Sequence, residues 1–223
     1  MDATLNPLAR MMFRWWLVLQ AAVALTLGAH ALARGLYERI VRLHPNDAKA
    51  LSSLGNLRMQ GGDSAGAVEA FATLVRCDPD NADAWFNLGY VHEKRGDQEH
   101  AESCMREAIR ANPKHDRAWY GLALALIRRG QLVEAVGALQ TNIALQPMSP
   151  YGYYQLGMTL HHLGRADEAT GIAERLRQFE PKYARTLDRD ISNTPAHHLL
   201  RADLANDAGI AVDAHPQALE GRT

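Results

Sequence analysis

The feature that most constrains this chain is a proline that recurs with a strict 34-residue period. The series consists of Pro79, Pro113, Pro147 and Pro181, and Pro45 extends it one step upstream. With repeats counted from residues 48, 82, 116 and 150, position 8 is always small, position 15 is glycine and position 20 is alanine. These columns are Gly55, Gly89, Ala123 and Gly157; Gly62, Gly96, Gly130 and Gly164; and Ala67, Ala101, Ala135 and Ala169. Such a period predicts an array of similar units that bury their apolar faces against one another.

The columns indicate two helices in each unit. Glycine at position 15 ends the first helix, because it adopts the left-handed conformation without a Cβ penalty. Proline at position 32 ends the second helix, since the residue before a proline is driven out of the α region. Small residues at positions 8 and 20 allow the two helices to cross closely. Asp63 and Asp97 follow the glycines and are predicted to cap the second helices of their units.

On these motifs the chain resembles the tetratricopeptide-repeat (TPR) family over residues 48–183. The resemblance implies an all-α fold, a right-handed α-solenoid of helix–turn–helix repeats with an N-terminal apolar helix. We expect a half repeat at 34–47 and then four repeats, at 48–81, 82–115, 116–149 and 150–183. Residues 184–207 are predicted to form capping helices, because a terminal unit needs a polar outer face. Residues 208–223 show no period and are predicted to be disordered.

An apolar segment precedes the repeats. The stretch from Trp15 to Ala33 contains no Asp, Glu, Lys or Arg. As one helix it would extend about 28 Å, close to the ~30 Å hydrocarbon core of a bilayer. Arg10 and Arg14 precede the segment, and the pair Trp15 and Trp16 suits a membrane interface. We therefore predict that residues 1–33 form a tail and a membrane-anchoring helix, without which the repeats would still fold.

Two alternatives to an anchor stay open. Ala31-Leu32-Ala33 is a small-x-small site, so the segment could be a cleaved signal peptide. It could also be the first helix of a degenerate repeat, because the 34-residue frame extends through Gly28, Ala33, Tyr37 and Pro45. Against that alternative, Gln20 stands where a leucine is expected at position 7. An anchor indicates a single-pass protein of a bacterial inner membrane with periplasmic repeats; the cytoplasmic face and secretion into the periplasm are the alternatives.

No catalytic or cofactor motif stands out. The sequence contains no Gly-rich phosphate loop, no Cys-x-x-Cys and no His-Glu-x-x-His. His161-His162 and His197-His198 are adjacent pairs that point to different sides of a helix, so they are poor shared metal ligands. A formal net charge of −1 argues against a nucleic-acid-binding surface. We predict a protein that is not an enzyme and that binds no cofactor, metal, nucleic acid or small-molecule substrate.

The resemblance also locates a binding surface. In TPR arrays the first helices of successive repeats line a concave groove, and here that groove becomes aromatic from the second repeat onward. Aromatic side chains with a polar tip are typical binding anchors. For Phe86, Tyr120 and Tyr154, which share repeat position 5, the alternative is packing against neighbouring repeats. The predicted groove residues are Asn56, Phe86, Asn87, Tyr90, Arg117, Tyr120, Leu124, Tyr151, Tyr154 and Met158.

One known binding mode of the family is only partly matched. Some TPR adaptors clamp the C-terminal carboxylate of a peptide with two asparagines and three cationic side chains. Asn56, Asn87 and Arg117 match this set, whereas Ser52 and Gly121 stand where cations are required. Losing two of three cations removes most of the charge-assisted attraction, so a full clamp is not expected.

The resemblance implies a function in protein assembly. We expect a scaffold or assembly factor that holds a partner peptide or helix in its concave groove while residues 15–33 tether it to a membrane. The alternative is a soluble TPR co-chaperone or regulatory adaptor whose N-terminal helix packs into the array. A TPR subunit of an enzyme that is active only in complex is a third and less supported class. An appended enzyme is not expected, since the ~40 residues after the repeats are too few for a catalytic domain.

Overall fold

The computed structural model describes residues 7–195, which form eleven α-helices and no β-strand. Each helix packs against the next one along the chain. In addition, α5 contacts α7, and α9 contacts α11. This arrangement confirms the predicted all-helical solenoid. The helices are α1 (Pro7–Thr26), α2 (His30–Leu43), α3 (Ala48–Gln60), α4 (Ser64–Cys77), α5 (Ala82–Lys94), α6 (Gln98–Ala111), α7 (Asp116–Arg128), α8 (Leu132–Leu145), α9 (Pro150–His162), α10 (Ala166–Phe179) and α11 (Pro181–Asn193).

Glycine turns and acidic caps fix where the helices of each hairpin end and begin. The position-15 glycines have φ between 73° and 78°, a conformation that side-chain-bearing residues rarely adopt. Asp63 Oδ1 accepts a hydrogen bond from the backbone N–H of Gly66 at 2.9 Å. Asp97 Oδ1 accepts one from His100 N–H at 3.3 Å. Both predicted caps are therefore confirmed.

The two helices of a hairpin meet most closely at positions 8, 20 and 24. Ala67 has no exposed surface. A Cβ built on Gly55 would lie only 2.6 Å from the Cζ atom of Phe71, whose side chain is 1% exposed. The Phe71 ring thus fills the space that the glycine leaves open. In the third repeat the residue at position 8 is larger and the residue at position 24 is smaller: they are Ala123 and Leu139, both fully buried.

The amino-terminal segment differs from the prediction. The single helix expected over residues 15–33 is wrong, because a turn at Leu27–Ala29 divides the segment between α1 and α2. Gly28 in this turn has a φ of 70°, like the position-15 glycines of the later repeats. Within residues 7–195, no helix combines the length and the apolar character that crossing a membrane requires.

Helices α1 and α2 instead form a hairpin at the start of the array. On the inner face of α1, Leu17 and Ala21 are fully buried. They belong to one apolar cluster with Tyr37 and Ile40 of α2 and Leu54 of α3. This packing is the one expected for a degenerate first repeat, the alternative that the sequence left open. The segment 34–47, predicted as a half repeat, lies mostly in α2, and α1 supplies its partner helix.

An ion pair joins α1 to the following hairpin. Arg14 Nε donates to Asp47 Oδ2 at 2.5 Å, and Asp47 also caps α3 by accepting from Ala50 N–H at 3.1 Å. Burial of the Asp47 carboxyl favours a higher pKa, but the hydrogen bonds from Arg14 and Ala50 outweigh burial and hold the pKa below its ordinary value. Arg14, which the sequence suggested as a membrane-flanking charge, is therefore a structural residue.

We expect Arg14→Gln to destabilise the protein by ~1–3 kcal/mol at neutral pH, because it leaves the Asp47 carboxylate without its charged partner. A carboxyl group with a lowered pKa contributes stability above its ordinary pKa and loses that contribution as the pH falls through the lowered value. Urea denaturation between pH 7 and about pH 3 should therefore show a difference from wild type that shrinks in acid. Arg95→Gln, at an exposed arginine, is the control. A difference independent of pH would contradict the pairing.

The carboxyl-terminal end of the described chain is a single polar-faced helix. Leu187 of α11 is fully buried, and its Cδ2 atom lies 2.6 Å from where a Cβ on Gly157 would stand. The outward side chains of α11 are polar: Lys182, Arg185, Arg189 and Ser192 are exposed. Helix α11 overlaps the first part of the segment 184–207 predicted to cap the array. The rest of that segment beyond residue 195, and the tail 208–223, lie outside the described residues.

Candidate partner-binding groove

The first helices of three successive repeats, α5, α7 and α9, surround a cavity of about 120 Å³. Its walls bring together side chains from three different repeats, because stacked hairpins place their first helices side by side. Six of the ten predicted groove residues line the cavity: Phe86, Tyr90, Arg117, Tyr120, Leu124 and Tyr151. The other four, Asn56, Asn87, Tyr154 and Met158, do not.

Phe86 is chiefly a residue of the interface between repeats. Its side chain is only 6% exposed. The centre of its ring lies 5.2 Å from that of His115, and the guanidinium of Arg117 stands 4.8 Å from the ring centre. Both contacts are with the repeat that follows or with the turn that leads into it. Phe86 therefore shapes one wall of the cavity while it holds two repeats together, as the alternative from the sequence proposed.

Tyr120 and Tyr154 are likewise tied to the helices that follow them. Burial raises the pKa of Tyr120 to about 12, although a hydrogen bond with Gln155 opposes part of that rise. The Tyr154 hydroxyl donates to Asp190 Oδ2 of α11 at 2.7 Å. Met158, 6% exposed, lies in the apolar cluster that α9 shares with α10 and α11. These side chains are committed to stacking more than to an open groove.

Tyr90, Leu124 and Tyr151 contribute apolar surface to the cavity from three different helices. All three side chains are half-buried, and each comes from a different first helix. The ammonium group of Lys94 lies 5.5 Å from the centre of the Tyr90 ring. Tyr151 packs edge-on against Tyr183 with ring centres 5.7 Å apart. These contacts hold the two rings in place at the cavity wall.

The rim of the cavity is charged, and it includes two ion pairs. Arg128 Nη1 donates to Glu93 Oε1 at 2.5 Å, and Arg117 Nη2 donates to Asp83 Oδ1 at 3.2 Å. His115 Nε2 also lies 3.2 Å from Asp83 Oδ1, and this hydrogen bond is the main reason that the pKa of Asp83 is lowered. Glu93 and Arg117, two of the charged residues that line the cavity, are thus each paired with an opposite charge, which favours an apolar group over an ion at this part of the wall.

Comparison with known proteins identifies the repeats. A family model of the tetratricopeptide repeat matches residues 52–103 and 99–141. The matched segment, residues 52–141, is thus similar in sequence to tetratricopeptide repeats. A search of curated protein sequences found no match.

Solved structures extend the TPR-like fold over most of the chain. The crystal structure of MamA is 24% identical, covers 77% of this chain and 94% of its own, and superposes with a TM-score of 0.71. YrrB, described as a TPR protein with an unusual peptide-binding site, is 19% identical over 76% of this chain and 88% of its own, with a TM-score of 0.67. TTC0263, a thermophilic TPR protein of Thermus thermophilus, is 22% identical. It covers 81% of this chain and 97% of its own, with a TM-score of 0.55. At these identities the likeness shows a shared fold.

The carboxylate-clamp residues of TPR adaptors are not brought together at the cavity. Of Asn56, Asn87 and Arg117, only Arg117 lines it. There the guanidinium is engaged by Asp83 and lies over the ring of Phe86. A group held in this way offers a peptide carboxylate less free charge than an unpaired arginine would.

Sequence reasoning missed one side of the cavity. Asp116, Asn142, Gln146 and Ser149, at the start of α7 and around the end of α8, also line it. Asn142 Nδ2 donates to the backbone carbonyl of Asp116 at 2.9 Å, and the Gln146 amide bonds the Asp116 carboxylate. A signal was present: Asn142 occupies repeat position 27, where the other repeats have Leu74, Ala108 and Leu176. A buried polar residue in an apolar column requires a polar partner.

One cluster of possible metal ligands lies at the turn between α5 and α6. His92 Nδ1 is 3.2 Å from Asp97 Oδ2, and His100 Nδ1 is 2.9 Å from Asp97 Oδ1. One ligand atom from each of His92, Asp97 and His100 lies within 4.8 Å of the other two, the spacing that a shared metal ion would need. Each imidazole already bonds the carboxylate that caps α6, so capping accounts for the arrangement without an ion.

Proposed function

We propose that this TPR array is a protein-interaction scaffold that binds a peptide or helix of its partner, with one apolar side chain entering the cavity between α5, α7 and α9. The observation that carries the proposal is the convergence of Tyr90, Leu124 and Tyr151 from three helices on one apolar space. An engineered cavity of about 150 Å³ in another protein accepts benzene. A space of about 120 Å³ is therefore large enough for a single aliphatic or small aromatic side chain.

The rest of the groove supports an extended or helical ligand over a small molecule. The cavity opens onto a surface formed by successive first helices, and each repeat adds further contacts along it. The fold that the chain shares with YrrB, whose structure is described as containing a peptide-binding site, agrees with such a ligand. The ion pairs on the rim, Asp83–Arg117 and Glu93–Arg128, would hold the polar backbone of the ligand at the edge.

Packing of α1 and α2 into the array favours a scaffold or adaptor whose N-terminal helices belong to the repeat domain. A role in assembling complexes at a bacterial inner membrane, with the repeats in the periplasm, stays a prediction. That the chain is not an enzyme also stays a prediction. Partner binding can be tested independently of both predictions.

The binding test begins with a ligand selected from a phage-displayed peptide library on the immobilised full-length chain. Its affinity is then measured by fluorescence anisotropy. We expect Tyr90→Ala to weaken binding at least tenfold, because a buried aromatic anchor contributes about 2 kcal/mol or more. Tyr151→Ala should behave similarly, and circular dichroism should show unchanged helicity for both variants.

The matched control is Val133→Ala on α8, which also removes apolar surface but at a side chain that is 74% exposed and does not line the cavity. Its affinity should equal that of wild type. If the selected peptides bind Tyr90→Ala and Tyr151→Ala as tightly as wild type, the cavity is not the binding site.

A further inference from the structure

The outer face of α1 is an apolar stripe that is open to solvent. Its side chains follow helical spacing along the whole helix, and each is at least half exposed. We call this surface the α1 stripe; it consists of Leu8 (67% exposed), Met11 (50%), Met12 (70%), Trp15 (60%), Trp16 (50%), Leu19 (63%) and Val23 (50%). Contiguous apolar surface of this kind marks an interaction site more often than scattered single residues do.

The repeat register explains why this face has no cover within the described chain. Repeat positions 3 and 10 of each later first helix pack against the preceding hairpin and are buried. At position 3 Trp16 is 50% exposed, and at position 10 Val23 is 50% exposed, since no described helix precedes α1. The buried counterparts are Ala50 (2%), Ala84 (1%), Ala118 (0%) and Gly152 at position 3, and Leu57 (7%), Val91 (0%), Ala125 (0%) and Thr159 (2%) at position 10.

The residue type at position 3 argues against another repeat as the occupant. Every later repeat has alanine or glycine there, because the preceding hairpin approaches closely. The indole of Trp16 would hold a similar hairpin away. The α1 stripe is therefore shaped for a surface that adapts to large side chains, not for continuation of the solenoid.

The sequence of the first two helices is strongly one-sided in charge. Residues 7–43 carry five arginines and one acidic residue, Glu38, whereas the whole chain has a net charge of −1. The guanidinium of Arg14 lies 5.5 Å from the Trp15 ring centre, and that of Arg39 lies 4.9 Å from the Phe13 ring centre. Arg14 is paired with Asp47, whereas Arg39 is exposed, so Arg39 is the cation beside these rings that an anionic group can approach.

We propose that the α1 stripe binds the surface of an anionic lipid bilayer, with α1 lying in the plane of the interface. Tryptophans and aliphatic side chains on one face, bordered by arginines, are the composition of helices that lie in the headgroup region. The proposal differs from a membrane-spanning anchor, because the helix remains packed on α2 and only its outer face enters the lipid. It is independent of the groove, which lies on α5, α7 and α9.

A second copy of the chain fits the stripe less well. Helix α1 contains no acidic residue to meet the arginines of a copy packed against it. The outer face of α11 at the other end of the array is polar, so head-to-tail stacking would leave Trp15 and Leu19 against charged side chains. Anionic headgroups, in contrast, complement an exposed arginine such as Arg39.

The test uses the full chain and sedimentation with vesicles of phosphatidylcholine alone or mixed with phosphatidylglycerol. We expect binding to the mixed vesicles, weakening as salt is raised, and tryptophan quenching by brominated lipid. Trp15→Ser/Leu19→Ser should reduce binding at least tenfold. Val133→Ser/Met148→Ser, which changes equally exposed apolar residues elsewhere, should not. Arg39→Gln should lower binding to the anionic vesicles selectively.

Three outcomes would overturn the proposal. The first is no sedimentation of wild type with phosphatidylglycerol vesicles. The second is equal sedimentation of the stripe variant and the control variant. The third is a concentration-dependent dimer, seen by light scattering without lipid and abolished by the stripe variant, which would assign the surface to self-association.

Discussion

Deletion of residues 1–29, which removes α1, is expected to unfold α2 as well and to lower the thermal stability of the amino-terminal half. Without α1, Tyr37 and Ile40 of α2 lose the cover that now leaves them 8% and 0% exposed. Burying one such side chain contributes about 1.5–3 kcal/mol. A 14-residue helix such as α2 is marginal in water without that packing. Circular dichroism should therefore show a loss of helix larger than the deleted segment accounts for.

A deletion at a repeat boundary provides the control. A chain that starts at residue 48 uncovers one face of the next hairpin, namely Ala50, Leu54, Leu57 and Ala70. The remaining repeats keep their contacts with one another, so they should stay folded. If α1 were a membrane anchor that does not pack on the repeats, its deletion would remove only the helix content of α1 itself. If the chain lacking residues 1–29 kept α2 folded and melted like the full chain, the packing of α1 on α2 would be refuted.

The second large effect is expected at the closest helix crossing. Phe71→Ala should destabilise the protein by ~3–5 kcal/mol, because it opens a cavity where the ring now fills the space beside Gly55. Urea denaturation followed by circular dichroism measures the change. Ala65→Gly, at an exposed position of the same helix, should cost only about 1 kcal/mol.

A double-mutant cycle separates packing from other effects at this crossing. Gly55→Ala alone should overpack against the ring, at a cost of ~1–3 kcal/mol, and Phe71→Leu alone should leave a gap. Together they reproduce the Ala123 and Leu139 combination of the third repeat, so the double variant should lose less stability than the sum of the two single variants. Simple additivity would show that positions 8 and 24 do not share one volume.

The repeat frame could be predicted because its determinants are local and periodic. Glycine at position 15, the caps Asp63 and Asp97, and proline at position 32 each act on the few residues around them, so their effect can be read without tertiary information. The amino-terminal hairpin of α1 and α2 was harder to predict from the sequence. Its frame survives in Gly28, Ala33, Tyr37 and Pro45, but the exposed apolar residues of α1 mask the periodicity of the inner face.

The groove could be predicted only in part. Repeat positions identify which side chains lie on the first helices, and this was sufficient for Tyr90, Leu124 and Tyr151. The repeat positions do not show how much of each side chain is buried against the next repeat. The Phe86 ring contacts Arg117 and His115 at the start of the next repeat. The Tyr154 hydroxyl donates to Asp190 of α11, which lies outside the hairpin of α9 and α10. Such contacts depend on the stacking distance, which no single repeat encodes.

The central claim is that a partner binds in the cavity between α5, α7 and α9. Hydrogen exchange measured by mass spectrometry, with and without a saturating selected peptide, tests it most directly. We predict that added protection falls on those three helices and is lost, at the same peptide concentration, in Tyr90→Ala. Protection confined to the outer helices α6 and α8, or to α1, with α5, α7 and α9 unchanged, would contradict the claim.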